Sequence, residues 1–282
     1  MEEQKIILTL TTIPTRLNSQ YGYDMRYALE SLLNQKYNNF EIHLNIPFVC
    51  KKTNEEYIFP EWLNEMDSNN DKLKIFRVED TGPITKLLPT LERVIDPEQI
   101  IIVVDDDMIY NENLITEHIK NREKWPENPV GYDGIKSRND DGSVSLFFND
   151  LRDHFYSGNH RDSVVDILQH YKSISYKRRF FEKDFFDFIK QYYLWDDDLS
   201  VSAYFATKKC NRIVTFYPHD EKCESYEDSL KIVGKSFPIL GHTSHLSEEG
   251  CNLFRYNVDK DDNTDINLRS QLNNIIELSY VK

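Results

Sequence analysis

Five aliphatic residues, 100–104 ("IIIVV"), run directly into Asp105, Asp106 and Asp107. An unbroken apolar run of that length reads as a strand buried on both faces of a parallel sheet. Aspartate is depleted from strands, and adjacent carboxylates repel. The chain therefore ends a buried strand on a sharp charge boundary. Either that turn is simply hydrated, or a cation sits against it. In extended geometry Asp105 and Asp107 point one way and Asp106 the other. Two carboxylates so placed can hold a hard divalent cation, with ligand phosphates completing its shell. The buried strand supplies the rigid floor that such a site needs.

Similar signals precede it. "KIILTL" (5–10) reads as a strand, and "YDMRYALESLLNQ" as a helix with Asp24 as N-cap. "FEIHLNI" (40–46) alternates, with Phe40, Ile42, Leu44 and Ile46 on one face, and "LKIFRVE" (73–79) is a third strand. "PITKLLPTLERVI" reads as a helix opened by Pro83, with a kink or break near Pro89. The resulting β-α-β-β-α-β order is that of an α/β layered domain. In such sheets ligands bind outside the carboxyl ends of the strands. Residues 11–16, 79–86 and 105–107 all fall at such ends and are expected to share one crevice.

The second half is less regular. Residues 139–149 suggest a turn and a strand, 180–210 read as mostly helical, and a polar loop with a closing helix ends the chain. No repeat or Pro/Gly/Ser-rich linker divides it, so one domain is expected over 1–282.

Charge narrows the partners. With 48 acidic against 34 basic residues the formal charge is −14, which argues against nucleic acid and against an anionic membrane. Cys50, Cys210, Cys223 and Cys251 form no CxxC pair, as expected of free thiols in a reducing compartment. The acidic start "MEEQKIILTL" does not read as a signal peptide, and no apolar run spans a membrane. A soluble, cytoplasmic protein without a transmembrane segment is expected.

Three further motifs carry chemistry. In "EDTGPITKLL", Gly82 and Pro83 form a turn and Lys86 enters a first helical turn, where N–H groups and an ammonium suit a phosphate or ribose. A solvated lysine is the plain alternative. "WDDDLSVSAYF" sets Asp196, Asp197 and Asp198 before an apolar helix, either as caps stabilised by the helix dipole or as a general base for an acceptor hydroxyl. "ILGHTSHL" offers His242 and His245, as surface residues or as imidazoles completing a metal shell. The basic cluster "SYKRRFF" reads as surface charge.

Together these segments resemble the GT-A glycosyltransferases, of the nucleotide-diphospho-sugar transferase fold. "LTTIPTRL" (10–17), "GPITK" (82–86), the aliphatic strand ending in 105–107, "VVDILQHYKSISYKRRFF" and "DDLSVSAYF" follow that group's order over residues 5–206. The resemblance implies a Rossmann-like, mixed but mainly parallel sheet flanked by helices. It implies a donor-binding half (1–110), an acceptor-side half (111–250) and a C-terminal loop and helix (251–282). Thr11, Pro14, Arg16, Lys86, Asp105 and Asp106 would bind the donor, a UDP-sugar first among nucleotide-sugars. Asp105 and Asp107, with His242, would hold Mn²⁺ or Mg²⁺. Asp197 or Asp198 would hold the acceptor, a carbohydrate or glycoconjugate, or act as base, and because a candidate base is present inversion is expected. His170, Tyr171 and Lys172 stand where relatives often carry a Gly-rich turn. Two rivals remain at this stage: nucleotidyl transfer to a sugar phosphate, and a non-catalytic sugar- or nucleotide-binding relative. The first expects a Gly-rich loop after the first strand, and "TTIPTRLN" contains no glycine.

Overall fold

The computed structural model describes residues 3–18, 25–135, 155–157, 162–192 and 196–215. Asp24, residues 139–149, Cys223, His242, His245 and the tail from Cys251 lie outside the described residues.

The chain opens with β1 (Ile6–Thr11), α1 (Pro14–Leu17), α2 (Arg26–Leu33) and β2 (Phe40–Pro47). A small hairpin, β3 (Val49–Cys50) with β4 (Glu55–Glu56), precedes α3 (Glu61–Asn69) and β5 (Leu73–Val78). A 3₁₀ turn (Ile84–Lys86) leads into α4 (Leu88–Arg93), then β6 (Ile100–Val103) and α5 (Leu114–Lys124). Short strands follow: β7 (Val130–Gly131), β8 (Asp133–Ile135), β9 (Phe155–Ser157), β10 (Ser163–Val165) and β11 (Ile167–Leu168). A second 3₁₀ turn (His170–Lys172) enters β12 (Ile174–Lys177), followed by α6 (Lys183–Tyr192), α7 (Asp197–Thr207) and β13 (Arg212–Val214).

Eight strands form one sheet in the order β10-β13-β7-β12-β6-β1-β2-β5. The β6-β1-β2-β5 core is parallel, and β12 runs antiparallel to both β6 and β7. The expected mixed, mainly parallel sheet with flanking helices is present. The first half departs from the expected order, because α1 and the β3–β4 hairpin are additional and α3 lies between β2 and β5. Parallel neighbours cannot be joined by a tight turn and need a crossover. β6 is buried on both faces as expected, although one of its two neighbours is antiparallel.

Alternation divides the core. Ile6, Leu8 and Leu10 of β1, Phe40, Ile42, Leu44 and Ile46 of β2, and Ile100 and Ile102 of β6 pack with Leu29, Leu32 and Ile115 from the helices. Ile7, Ile101 and Val103 face the opposite layer, with Leu91, Tyr176, Phe185, Tyr204 and Phe205. Each such aliphatic side chain contributes roughly 1.5–3 kcal/mol on burial. α7 is buried from Leu199 through Ala206, so it is enclosed on more than one face.

The helix expected over 83–95 is two pieces. Leu87 joins the 3₁₀ turn to α4, and Pro89 occupies α4's first turn, where its missing N–H leaves no intrahelical bond unmade. The break therefore falls before Pro89. Beneath the turn lies a buried polar floor. Thr9 Oγ1 donates to Lys86 O at 2.5 Å, and Asn45 Nδ2 donates to Thr9 Oγ1 (3.2 Å) and Thr90 Oγ1 (3.1 Å). Arg93 donates to Asn45 Oδ1 at 2.5 Å, with its guanidinium 3.7 Å from the centre of the Phe76 ring.

Candidate active site

The chain passes from β1 to β2 and β5 on one side, then returns to β6 on the other side of β1. That reversal opens a crevice outside the carboxyl ends of β1 and β6. Thr12 and Arg16 follow β1, and Asp105, Asp106 and Asp107 follow β6. Arg16 forks across two of these acids, with Nη1 2.5 Å from Asp106 Oδ1 and Nη2 2.9 Å from Asp107 Oδ2. Thr12 Oγ1 donates to Asp106 Oδ2 at 2.6 Å. Burial opposes the charge on Arg16, but Asp106, Asp107 and Asp105 outweigh it and raise the guanidinium pKa.

The extended geometry expected of 105–107 is not found. β6 ends at Val103 and residues 106–107 form a turn, so strand alternation does not extend to the acids. Asp106 and Asp107 share Arg16, whereas Asp105 turns to Lys86 at 2.5 Å. Thr11 sits at the rim with its hydroxyl donating to Asn45 O at 2.7 Å, and Pro14 is buried at the start of α1.

Lys86 is buried, and its Nζ also lies 3.0 Å from Asp197 Oδ2. Burial alone would lower its pKa, but Asp105 and Asp197 reverse that and raise it well above the usual value. His170 continues the chain of charges, with Nδ1 3.0 Å from Asp197 Oδ2 and 2.6 Å from Asp198 Oδ1. Its main-chain N–H donates to the same Asp198 oxygen at 2.9 Å. Ionised carboxylates only accept, so Nδ1 carries a hydrogen. Burial pulls the imidazolium down, yet Asp197 and Asp198 raise it to about 9. Nε2 meets the Tyr176 hydroxyl at 2.9 Å.

The second triplet thus divides by role. Asp196 is the N-cap of α7, accepting from Leu199 N–H at 2.8 Å, and burial, then Asp198, pushes it up to about 7. Asp197 is held low: burial opposes this, but Lys86 and His170 prevail. Burial and the neighbouring Asp197 raise Asp198. Asp198 is also the more open of the two, with 28% of its side chain exposed against 11% for Asp197.

Thr12, Tyr110 and His170 were not among the expected site residues. Tyr110 Oη accepts from Asp105 N–H at 2.7 Å and donates to Tyr171 O at 3.0 Å, which ties the donor-side turn to the His170 turn. His170 and Asp198 are 28 positions apart, so no local pattern joins them.

Five carboxylates (Asp105, Asp106, Asp107, Asp197, Asp198) face Arg16, Lys86 and His170, an excess of acidic over basic side chains. A divalent cation would balance it. Among the described residues, His170, Asp197 and Asp198 bring ligand atoms within 4.8 Å of one another, but Nδ1 is already taken up by its hydrogen bond to Asp198. The carboxylates after β6 are hard oxygen ligands of the type that takes Mn²⁺ or Mg²⁺, with Asp105 held by Lys86 and Asp107 by Arg16. A groove of about 980 Å³ runs along α4 and α6, and none of these aspartates lines it. No helix among the described residues is long and apolar enough to cross a membrane.

No protein-family model matches the chain, and neither does any curated protein. Among solved structures it is similar to 4-diphosphocytidyl-2C-methyl-D-erythritol synthase from Anaerococcus prevotii, with 15% identity and a TM-score of 0.48, over 81% of this chain and 94% of that one. It is also similar to S. aureus TarS in complex with UDP, with 14% identity and a TM-score of 0.45, over 76% of this chain and 58% of that one. At such identities and with TM-scores below 0.5, neither likeness bears on activity.

Proposed function

We propose that the chain is a glycosyltransferase, moving a sugar from a nucleotide-diphosphate donor (a UDP-sugar first) to a hydroxyl of a carbohydrate or glycoconjugate. One observation carries this reading. Lys86 joins the acidic turn after β6 to the acidic start of α7, so donor-side and acceptor-side carboxylates share one crevice.

Asp105 and Asp107 would hold Mn²⁺ or Mg²⁺, which when bound neutralises charge developing on the diphosphate. Arg16 keeps Asp106 and Asp107 fixed, and Lys86 adds a permanent positive charge beside Asp105. Asp197 is a poor base, because Lys86 and His170 favour its ionised form. Asp198 suits the role: it is more open, and its proton affinity is raised. Both His170 contacts use Oδ1, so Oδ2 would take the acceptor's proton. As that proton leaves, the acceptor oxygen bonds to the anomeric carbon. The bond from that carbon to phosphate oxygen breaks, and its electron pair departs with the nucleoside diphosphate. A single displacement of this kind inverts the configuration.

Donor turnover across a nucleotide-sugar panel, with and without Mn²⁺, tests the assignment, and product configuration is read by NMR. Release of nucleoside diphosphate with inversion supports it. Pyrophosphate release from a nucleoside triphosphate and a sugar phosphate would replace it with nucleotidyl transfer. Retention would remove Asp198 as base.

A further inference from the structure

We propose that His170 is the positioning residue for the acceptor-side base, presenting Asp198 through a Tyr176–His170–Asp198 hydrogen-bonded chain. The inference rests on the transferase reading above.

The geometry is specific to one oxygen. His170 gives Asp198 Oδ1 two donors, its main-chain N–H at 2.9 Å and Nδ1 at 2.6 Å. Two donors on the same oxygen fix the carboxylate's rotation and turn Oδ2 away from the imidazole. The far side of the ring is held as well. Nε2 meets Tyr176 Oη at 2.9 Å, and the Tyr176 ring stacks on Phe205 at 5.6 Å with Phe181 edge-on at 5.0 Å. With both ring nitrogens engaged, the imidazole cannot rotate without losing a buried hydrogen bond.

The turn that carries His170 is itself anchored. Tyr110 donates to Tyr171 O, the Tyr171 hydroxyl donates to buried Asp133, and Lys172 Nζ lies 2.7 Å from the same carboxylate. Ser173 then takes a left-handed φ of 92° before β12 begins. The charged and titratable groups around Asp198 are His170 on the turn, Tyr176 on β12, Lys86 on the first 3₁₀ turn, and Asp196 and Asp197 on its own helix. Lys86 and Asp197 are engaged with each other, which leaves orientation of Asp198 to His170.

Asn and Gln separate the two ring nitrogens. In the full chain, His170→Asn restores a donor near the Nδ1 position, whereas His170→Gln reaches toward Nε2 and Tyr176. Using a donor that wild type turns over, His170→Asn is expected to keep kcat within about tenfold, and His170→Gln and His170→Ala to lose roughly 10²-fold with donor KM little changed. Tyr176→Phe, which removes one hydroxyl and little volume, should lower kcat severalfold without lowering Tm. A downfield imidazole N–H proton resonance should be present in wild type and absent in Asp198→Asn. Equal losses in the Asn and Gln variants, accompanied by a raised donor KM, would make His170 merely structural. An active wild type whose His170→Ala variant keeps its kcat overturns this proposal alone, whereas a wild type that turns over no donor overturns the transferase reading with it.

Discussion

Lys86 Nζ lies 2.5 Å from Asp105 and 3.0 Å from Asp197, so one buried ammonium joins two acidic segments from opposite halves of the chain. Lys86→Met leaves Asp105 without this partner and Asp197 with His170 alone, and should cost about 3–5 kcal/mol, read from denaturant unfolding. Lys86→Arg keeps the charge and should recover part of that loss. A cost below about 1 kcal/mol for the Met variant would show that the pair is not held together by this lysine.

The same cluster sets a pH dependence. The folded pKa of His170, about 9, lies above its ordinary 6.5, because two carboxylates overcome the effect of burial. A raised folded pKa gives stability that is complete below pH 6.5 and is lost as pH rises through 9. Asp196, raised to about 7 by burial, acts in the same direction. The unfolding free energy should therefore fall between pH 6 and pH 9.5, by roughly 3 kcal/mol from His170. His170→Asn should flatten the decline, and an unchanged slope would place the titration elsewhere.

Asp197 and Asp198 should fail differently. Asp198→Asn is expected to lower kcat by roughly 10²–10⁴-fold with Tm nearly unchanged. Asp197→Asn removes a partner of Lys86 and His170, so its main effect should be a lower Tm. The reverse pattern would exchange their roles.

Mn²⁺ titration calorimetry should separate the first triplet. Asp105→Asn and Asp107→Asn should each weaken binding at least about tenfold, through loss of a hard anionic ligand. Asp106→Asn should leave Mn²⁺ affinity near wild type while loosening the Arg16 and Thr12 anchor, seen as a lower Tm. Equal effects at all three positions would dissolve the distinction.

Gly134, next to the Asp133 that anchors the His170 turn, tests the packing of β8. A Cβ there would come within 2.7 Å of Ile167 O and 2.8 Å of both Val165 and Val214. Gly134→Ala should destabilise by about 1–3 kcal/mol in denaturant unfolding. A neutral outcome would mean that β11 gives way.

The central strands were legible because alternation is strong in them: 6–11, 40–47, 73–78 and 100–103 were all read to within a residue or so. α3 and α5 were not. α3 offers only Trp62, Leu63 and Met66 as apolar residues, and α5 buries His118, Asn121 and Arg122 beside Leu114 and Ile115. A helix that buries polar side chains has no apolar period to find. The convergence of 79–86 with 105–107 followed from strand ends alone. How the acids divide did not, because the first triplet leaves the strand before alternation can apply. His170 stands out in sequence only as a departure from the resemblance, because its role lies in a contact 28 positions away.

The polar floor under Lys86 has a further consequence. Thr9 and Asn45 are adjacent-strand residues whose side chains hold the Lys86 carbonyl from below. Sliding β2 by one residue against β1 would turn Asn45 into the aliphatic layer and bring a hydrophobic side chain beneath that carbonyl. A mispaired strand would thus lose the lysine's footing along with the hydrogen bonds. Correct pairing of the first two strands and correct placement of the charge that joins the two acidic segments are therefore selected together. A folding error at β2 should abolish the site even if the rest of the sheet forms.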